Sequence, residues 1–129
     1  MEPSIRGDAG MLIDAAIGVL AVNYHDDAHT VGAAVLCASG AIHVGVNLEG
    51  YGPCAEPIAL GSAISAGERG FAGIVAVTRD DAGYRLLPPC GTCRQLLLRY
   101  APAVDVLLPL DGDVVSRPIG DLLPIPYTE

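Results

Sequence analysis

Gly73-Ile74-Val75-Ala76-Val77-Thr78 is an almost wholly apolar run. Its apolar residues are consecutive, not alternate, which is the pattern of a strand covered on both faces. The segments on either side supply the cover. Upstream, residues 54–66 read as a helix that begins after the breakers Gly50, Gly52 and Pro53. Downstream, Pro88-Pro89 halts the chain before Cys90, and residues 94–100 read as a helix that starts at the cysteines. Residues 31–37 and 41–47 are β-friendly runs joined by Ala38-Ser39-Gly40, a connection suited to an antiparallel hairpin. Within residues 9–22, Leu12, Ile13, Ala16, Ile17 and Leu20 recur at helical spacing and place one apolar stripe on a first helix. Residues 104–108 read as a further buried strand, Asp111-Gly112-Asp113 as a turn, 114–117 as a short strand and 119–123 as a helical turn. The sum is an α/β domain with a mixed sheet of about five strands flanked by helices. Repeats and linkers are missing, so residues 1–129 read as a single domain.

Composition limits what such a domain does. Hydrophobic residues make up 51% and charged residues 17% of the chain, far from the balance that keeps chains disordered. The net charge of -8 comes from 15 acidic side chains against seven basic ones, so phosphate backbones and anionic lipid are repelled. Nucleic acid is therefore excluded as the expected partner. No apolar run reaches the ~20 residues of a bilayer crossing, so no membrane partner is expected. Met1-Glu2-Pro3, followed by Asp8, lacks the basic leader of a secretory signal, and a cytoplasmic location is expected.

In a reducing compartment clustered cysteines bind metal or do chemistry more often than they pair. Cys90 and Cys93 are three residues apart at a helix start, a spacing that lets two sulfurs converge on one ion. Cys54 stands at another helix start, where backbone N–H groups and the helix dipole favour the thiolate, and it is the natural third ligand. Three protein ligands leave a tetrahedral ion one position for water, the mark of a catalytic zinc site. Glu56, two residues after Cys54, is placed to act as general base on that water. Two other readings of the cysteines stand beside this one. Cys90-Gly91-Thr92-Cys93 also has the form of a redox pair, and Cys37 could close a purely structural zinc site, although it ends an apolar strand where cysteine serves as a small hydrophobe. The group His25, Asp26, Asp27 and His29 reads as a polar loop in preference to a second metal site, Asp80-Asp81 as an exposed acidic turn, and Tyr51 is left unassigned.

Cys54-Ala55-Glu56 and Pro89-Cys90-Gly91-Thr92-Cys93-Arg94-Gln95 together resemble the two zinc motifs of the cytidine deaminase family. Val31-Gly32-Ala33-Ala34, Gly45-Val46-Asn47-Leu48-Glu49 and Leu122-Leu123-Pro124 are similar to its flanking segments, in the same order. The resemblance implies a three-layer fold, a Zn2+ cofactor and hydrolytic removal of the cytosine amino group of a free nucleoside, with Glu56 relaying protons. It also implies a homotetramer whose sites are completed across interfaces. Asn47 and Glu49 then resemble the clamp on the ribose hydroxyls, with Ala55 and the C-terminal aromatic Tyr127 as further substrate contacts. Arg94 is the expected donor that offsets the negative charge of three thiolates on one divalent ion. Gly52-Pro53-Cys54-Ala55-Glu56 and the chain length are most similar to the blasticidin S deaminase branch, which leaves cytidine, deoxycytidine and a cytosine nucleoside antibiotic as alternative substrates. His29 stands where cytidine-specific members carry a phenylalanine, the interval from Glu49 to Cys54 is short, and Pro57 replaces the arginine that often follows the Cys-Ala-Glu motif. A non-catalytic zinc-binding protein is the alternative from a different class.

Overall fold

A computed structural model describes residues 5–50 and 52–128 of the protein, with side chains in the first helix from Gly7 onward. The run from which the fold was read becomes the third of six strands: β1 (Val31–Cys37), β2 (Ile42–Val46), β3 (Phe71–Asp80), β4 (Gly83–Leu87), β5 (Asp105–Leu110) and β6 (Asp113–Pro118). β3 is the hub. One of its edges is covered along its length by antiparallel β1. The other edge is shared: β5 runs parallel beside Gly73 and Ile74, and β4 folds back antiparallel beside Ala76 to Asp80. β2 and β6 complete the ends in the order β2-β1-β3-β5-β6. The sheet is mixed, as expected. Its strand beyond the expected five is β4, whose Gly83, Tyr84 and Arg85 are exposed and show no apolar pattern. The Asp80-Asp81 turn is the bend of that hairpin, where the Asp80 carboxylate accepts the Ala82 N–H at 2.8 Å and the Arg85 Nε–H at 3.0 Å.

Alternation along β1 and β3 sorts the side chains into two cores. Ala33, Val35, Cys37, Ile74 and Ala76 face the side carrying α2 (Ala55–Ser65) and α3 (Gly91–Tyr100). Ala34, Leu36, Val75 and Val77 face α1 (Ile5–Asn23), which answers with fully buried Leu12, Ala16 and Leu20 at four-residue spacing. The result is three layers, one helix on one face and two on the other. Two glycines set how close the layers come. A Cβ on Gly45 would lie 2.6 Å from the Ala59 nitrogen of α2, and one on Gly32 would lie 2.5 Å from the Ala16 carbonyl of α1. A short 3-10 turn (Ile119–Leu122) buries Ile119 against the α2–α3 side. Tyr51 lies outside the described residues.

Candidate active site

α2 and α3 both begin on a cysteine. Cys54 and Cys90 are the N-caps, each with an extended backbone (φ -62°, ψ 172° and φ -69°, ψ 171°), and of the two only the Cys90 side chain makes a capping hydrogen bond. The Cys90 sulfur accepts the Cys93 N–H at 3.4 Å, a capping bond that also folds the Cys-x-x-Cys segment back on itself. Since both helices lie on one face of the sheet, their mouths meet. The ligand atoms of Cys54, Cys90 and Cys93 all lie within 4.8 Å of one another. The Cys54 and Cys90 sulfurs are 3.6 Å apart, close to the ~3.8 Å separation of two thiolates held at ~2.3 Å on a tetrahedral ion. That spacing is far from the ~2.05 Å of a disulfide, and all four cysteines are free. Cys93 is buried beneath the pair while Cys54 and Cys90 are exposed, so an ion on the three sulfurs would be supported from below and open to solvent above.

Cys37 is not part of this cluster. It is fully buried at the end of β1 and groups instead with His43 and Glu68, so among the described residues no fourth ligand closes the three-sulfur site. Burial, together with the neighbouring Glu68, pushes its thiol up to about 11. A third sulfur beside Cys90 and Cys93 likewise distinguishes the site from a redox pair. Among the protein groups themselves, burial raises the Cys54 thiol, and burial with the nearby Glu56 raises Cys93. For Cys90, burial also pulls upward but is outweighed by the Cys93 N–H and the two flanking thiols, and the net shift is downward.

Glu56 is on the first turn of α2 and only 5% exposed. The Cys93 thiol donates to its Oε1 at 3.9 Å, which puts the carboxyl against the sulfur cluster. Burial raises the Glu56 carboxyl above the ordinary carboxylate range, opposed by its own backbone N–H and by the Cys93 thiol. A buried carboxyl held above its ordinary range beside a cluster that could hold a metal ion is suited to accept and return protons. Ala55, between Cys54 and Glu56, is wholly buried.

Asn47 is just beyond β2 and only 7% exposed. Its Oδ1 accepts the Thr30 and Val31 N–H groups at 2.8 and 3.0 Å, and its Nδ2 donates to Thr30 Oγ1 at 3.1 Å and Glu49 Oε2 at 3.0 Å. Every donor and acceptor of the amide is thereby used within the protein. Asn47 thus fastens the start of β1 to the loop after β2 and aims the exposed Glu49, whose Oε2 also accepts from Thr30 Oγ1 at 3.3 Å. His29 donates from Nδ1 to the Asn47 carbonyl at 2.7 Å and belongs to the same cluster. Thr30, which ties these residues together, was not singled out from the sequence, because a threonine ahead of a strand gives no hint of partners 17 and 19 residues away.

Arg94 sits beside the site but points away from the sulfurs. Its Nε donates to the Pro89 carbonyl at 2.9 Å and its guanidinium to the Leu122 carbonyl at 3.2 Å. It anchors the residue before Cys90 to the C-terminal 3-10 turn, and among the described residues its side chain makes no hydrogen bond to a cysteine, whereas its backbone N–H donates to the Cys90 carbonyl at 2.9 Å. Tyr127 is 74% exposed and held by its backbone alone: its N–H donates to Gln95 Oε1 at 3.1 Å and its carbonyl accepts from Gln95 Nε2 at 3.3 Å. Its ring flanks an open groove of about 640 Å³ on the outer face of α3, lined also by Leu96, Arg99 and Tyr100. The His25 and His29 loop is a tight turn in which the two residues bridge each other, and it forms no metal-sized group among the described residues.

With this geometry in place, comparison with known proteins is specific. Residues 9–107 match the family model described as the cytidine and deoxycytidylate deaminase zinc-binding region. The chain is 39% identical over 126 residues to the blasticidin-S deaminase of Bacillus cereus, covering 91% of this chain and 90% of that one. It is 40% identical over 104 residues to the cytidine deaminase of Halalkalibacterium halodurans, covering 76% of each. The fold superposes on the crystal structure of cytidine deaminase from Burkholderia pseudomallei with a TM-score of 0.74 at 34% identity, over 92% of this chain and 98% of that one. The cytidine deaminase of Mycobacterium tuberculosis gives a TM-score of 0.76 at 30% identity, over 95% and 98%. Three sulfurs at two helix mouths, a buried glutamate between them and a match over most of the chain lead to one assignment: the protein belongs to the cytidine and deoxycytidylate deaminase family of zinc-binding enzymes.

Proposed function

We propose that the protein removes the C4 amino group from the cytosine ring of a free nucleoside, converting cytidine or deoxycytidine and one water to the uracil nucleoside and ammonia. The observation that carries this reading is the Glu56 carboxyl, buried and 3.9 Å from one of three clustered sulfurs. Cys54, Cys90 and Cys93 would hold the zinc, whose chemistry when bound is that of a Lewis acid that acidifies water to near neutrality. Glu56 takes one proton from the attacking water and delivers it to the ring nitrogen so that C4 becomes electrophilic, then takes the remaining proton of the hydroxyl added at C4 and passes it to the departing amine. Ala55, wholly buried and between ligand and base in the sequence, is the further substrate contact that the family resemblance implies. Glu49, aimed by Asn47 and Thr30, offers a carboxylate to the sugar hydroxyls. Arg94 acts by holding Pro89, and through it Cys90, in place.

The chain acts in this reading as one nucleoside deaminase domain in the cytoplasm. It assembles as a homotetramer, in which the Tyr127 ring, 74% exposed, meets a neighbouring subunit. Its net charge of -8 argues against nucleic acid as substrate, and among the described residues no helix is long and apolar enough to cross a membrane. Blasticidin S, or another cytosine nucleoside antibiotic, is the second reading. It is favoured by the coverage of the Bacillus cereus relative, 91% of this chain against 76% for the cytidine deaminase of Halalkalibacterium, and by the short span from Glu49 to Cys54.

The test is an ammonia-release assay on cytidine, deoxycytidine, free cytosine, blasticidin S and single-stranded DNA. Turnover of a nucleoside and none of DNA is expected, and the ratio of cytidine to blasticidin S turnover decides between the two readings. Glu56→Ala is expected to keep its zinc and lose turnover by about 10²–10⁴-fold or more. Bound zinc with no turnover of any substrate in the unaltered protein would leave a non-catalytic zinc protein as the better description.

A further inference from the structure

We propose that Cys37, His43 and Glu68 form a second metal centre, selective for a zinc-class divalent cation, at the end of α2 remote from Cys54. The ligand atoms of these residues lie within 4.8 Å of one another, the same limit that the Cys54 cluster meets. Three separate segments bring them together. Cys37 ends β1 on the α2 side of the sheet. His43 pairs across the ladder with Val35, so it shares the face of Val35 and Cys37. Glu68 follows the C-terminus of α2, where the chain is turned back by its own N–H bonding to the Ala63 carbonyl at 3.0 Å. α2 has 11 residues, which separates the two clusters by roughly 16 Å at the α-helical rise.

The chemistry of the set is that of a metal site. Thiolate, imidazole and carboxylate are the three ligand types that zinc accepts, and three protein ligands leave a fourth position for water. The charges also close: one thiolate and one carboxylate neutralise a divalent ion, which matters where Cys37 is fully buried and His43 and Glu68 are half-buried. Ser39, in the β1–β2 turn, lies 2.9 Å from both Glu68 oxygens. A hydroxyl has one proton to donate, so at any moment one oxygen is held and the other is free. Such an outer partner orients a ligating carboxylate. The bound ion would tie the β1–β2 hairpin to the α2–β3 connection, alongside the existing Ala38 N–H to Gly70 carbonyl bond at 2.8 Å.

The decisive measurement is zinc per chain after equilibration with Zn2+ and desalting, compared between the unaltered protein and His43→Gln or Glu68→Gln. Both substitutions are at half-buried positions outside the Cys54 cluster, so they leave nucleoside turnover unchanged. The expected result is that each variant holds one zinc fewer than the unaltered protein. Ser39→Ala is expected to keep the extra equivalent but weaken it by about 10–100-fold. Equal zinc content in the unaltered protein and both variants overturns the proposal. The readout is a difference, so it stands whether or not the first centre is as described above, and it avoids Cys37→Ser, which places a hydroxyl in the core.

Discussion

Asn47 spends its whole amide on other parts of the chain, which changes what a substitution there does. Asn47→Ala removes the acceptor of two backbone N–H groups, Thr30 and Val31, in a part-buried setting, and frees Glu49 from one of its two donors. Each orphaned group costs about 1–3 kcal/mol. The variant is therefore expected to lose stability in urea unfolding and, because Glu49 is no longer aimed, to bind nucleoside more weakly while the zinc content holds. An unchanged unfolding midpoint would show that the amide is dispensable to the fold. The pair Asn47 and Glu49 was legible in the sequence as polar residues closing a strand. What Asn47 holds was not, since its partners lie 16 and 17 residues earlier and only the pairing of β1 with β2 brings them near. Arg94 teaches the same lesson. Its place next to Cys93 suggested a charge partner for the sulfurs, but on α3 its side chain reaches back to the Pro89 carbonyl and across to Leu122.

At the scale of elements, the position of α2 decides the position of both Cys54 and Glu56, and α2 rests directly on β2 through Gly45. Gly45→Ala sets a methyl group 2.6 Å from the Ala59 nitrogen and from Ile58 Cγ2. The contact is with backbone, so the helix has to move. The expected cost is about 1–3 kcal/mol for overpacking, read as a lowered thermal midpoint, with turnover falling alongside because Glu56 shifts relative to Cys93. A variant that is less stable yet fully active would show that α2 tilts without disturbing its N-terminal turn. The helix starts at Cys54 and Cys90 could be read ahead of the structure because Gly52-Pro53 precedes the first and Pro88-Pro89 the second, and β1 and β3 because their apolar runs are unbroken. β4 could not: its outer residues are exposed, and it is held by one neighbour and by the Asp80–Arg85 pair, features that leave no periodic trace.

For the whole molecule, zinc held as proposed on Cys54, Cys90 and Cys93 would be a clamp as well as a cofactor, because those residues come from two helices that otherwise touch little. An ion that binds the folded chain and not the unfolded one stabilises by about 2.7 kcal/mol at a concentration 100-fold above its Kd. Removing it with a chelator is therefore expected to abolish turnover and lower the calorimetric midpoint, and restoring Zn2+ to recover both. A midpoint indifferent to chelation would mean that α2 and α3 are held by the sheet alone. β3 lies in the chain between Cys54 and the Cys90–Cys93 pair, and it is the strand on which β1, β4 and β5 all depend. A polypeptide leaving the ribosome thus exposes one sulfur of the triad, then the entire central strand, and only later the remaining two. Capture of the metal has to come late in biogenesis, and cells short of zinc should accumulate a shaped but idle enzyme instead of an unfolded one.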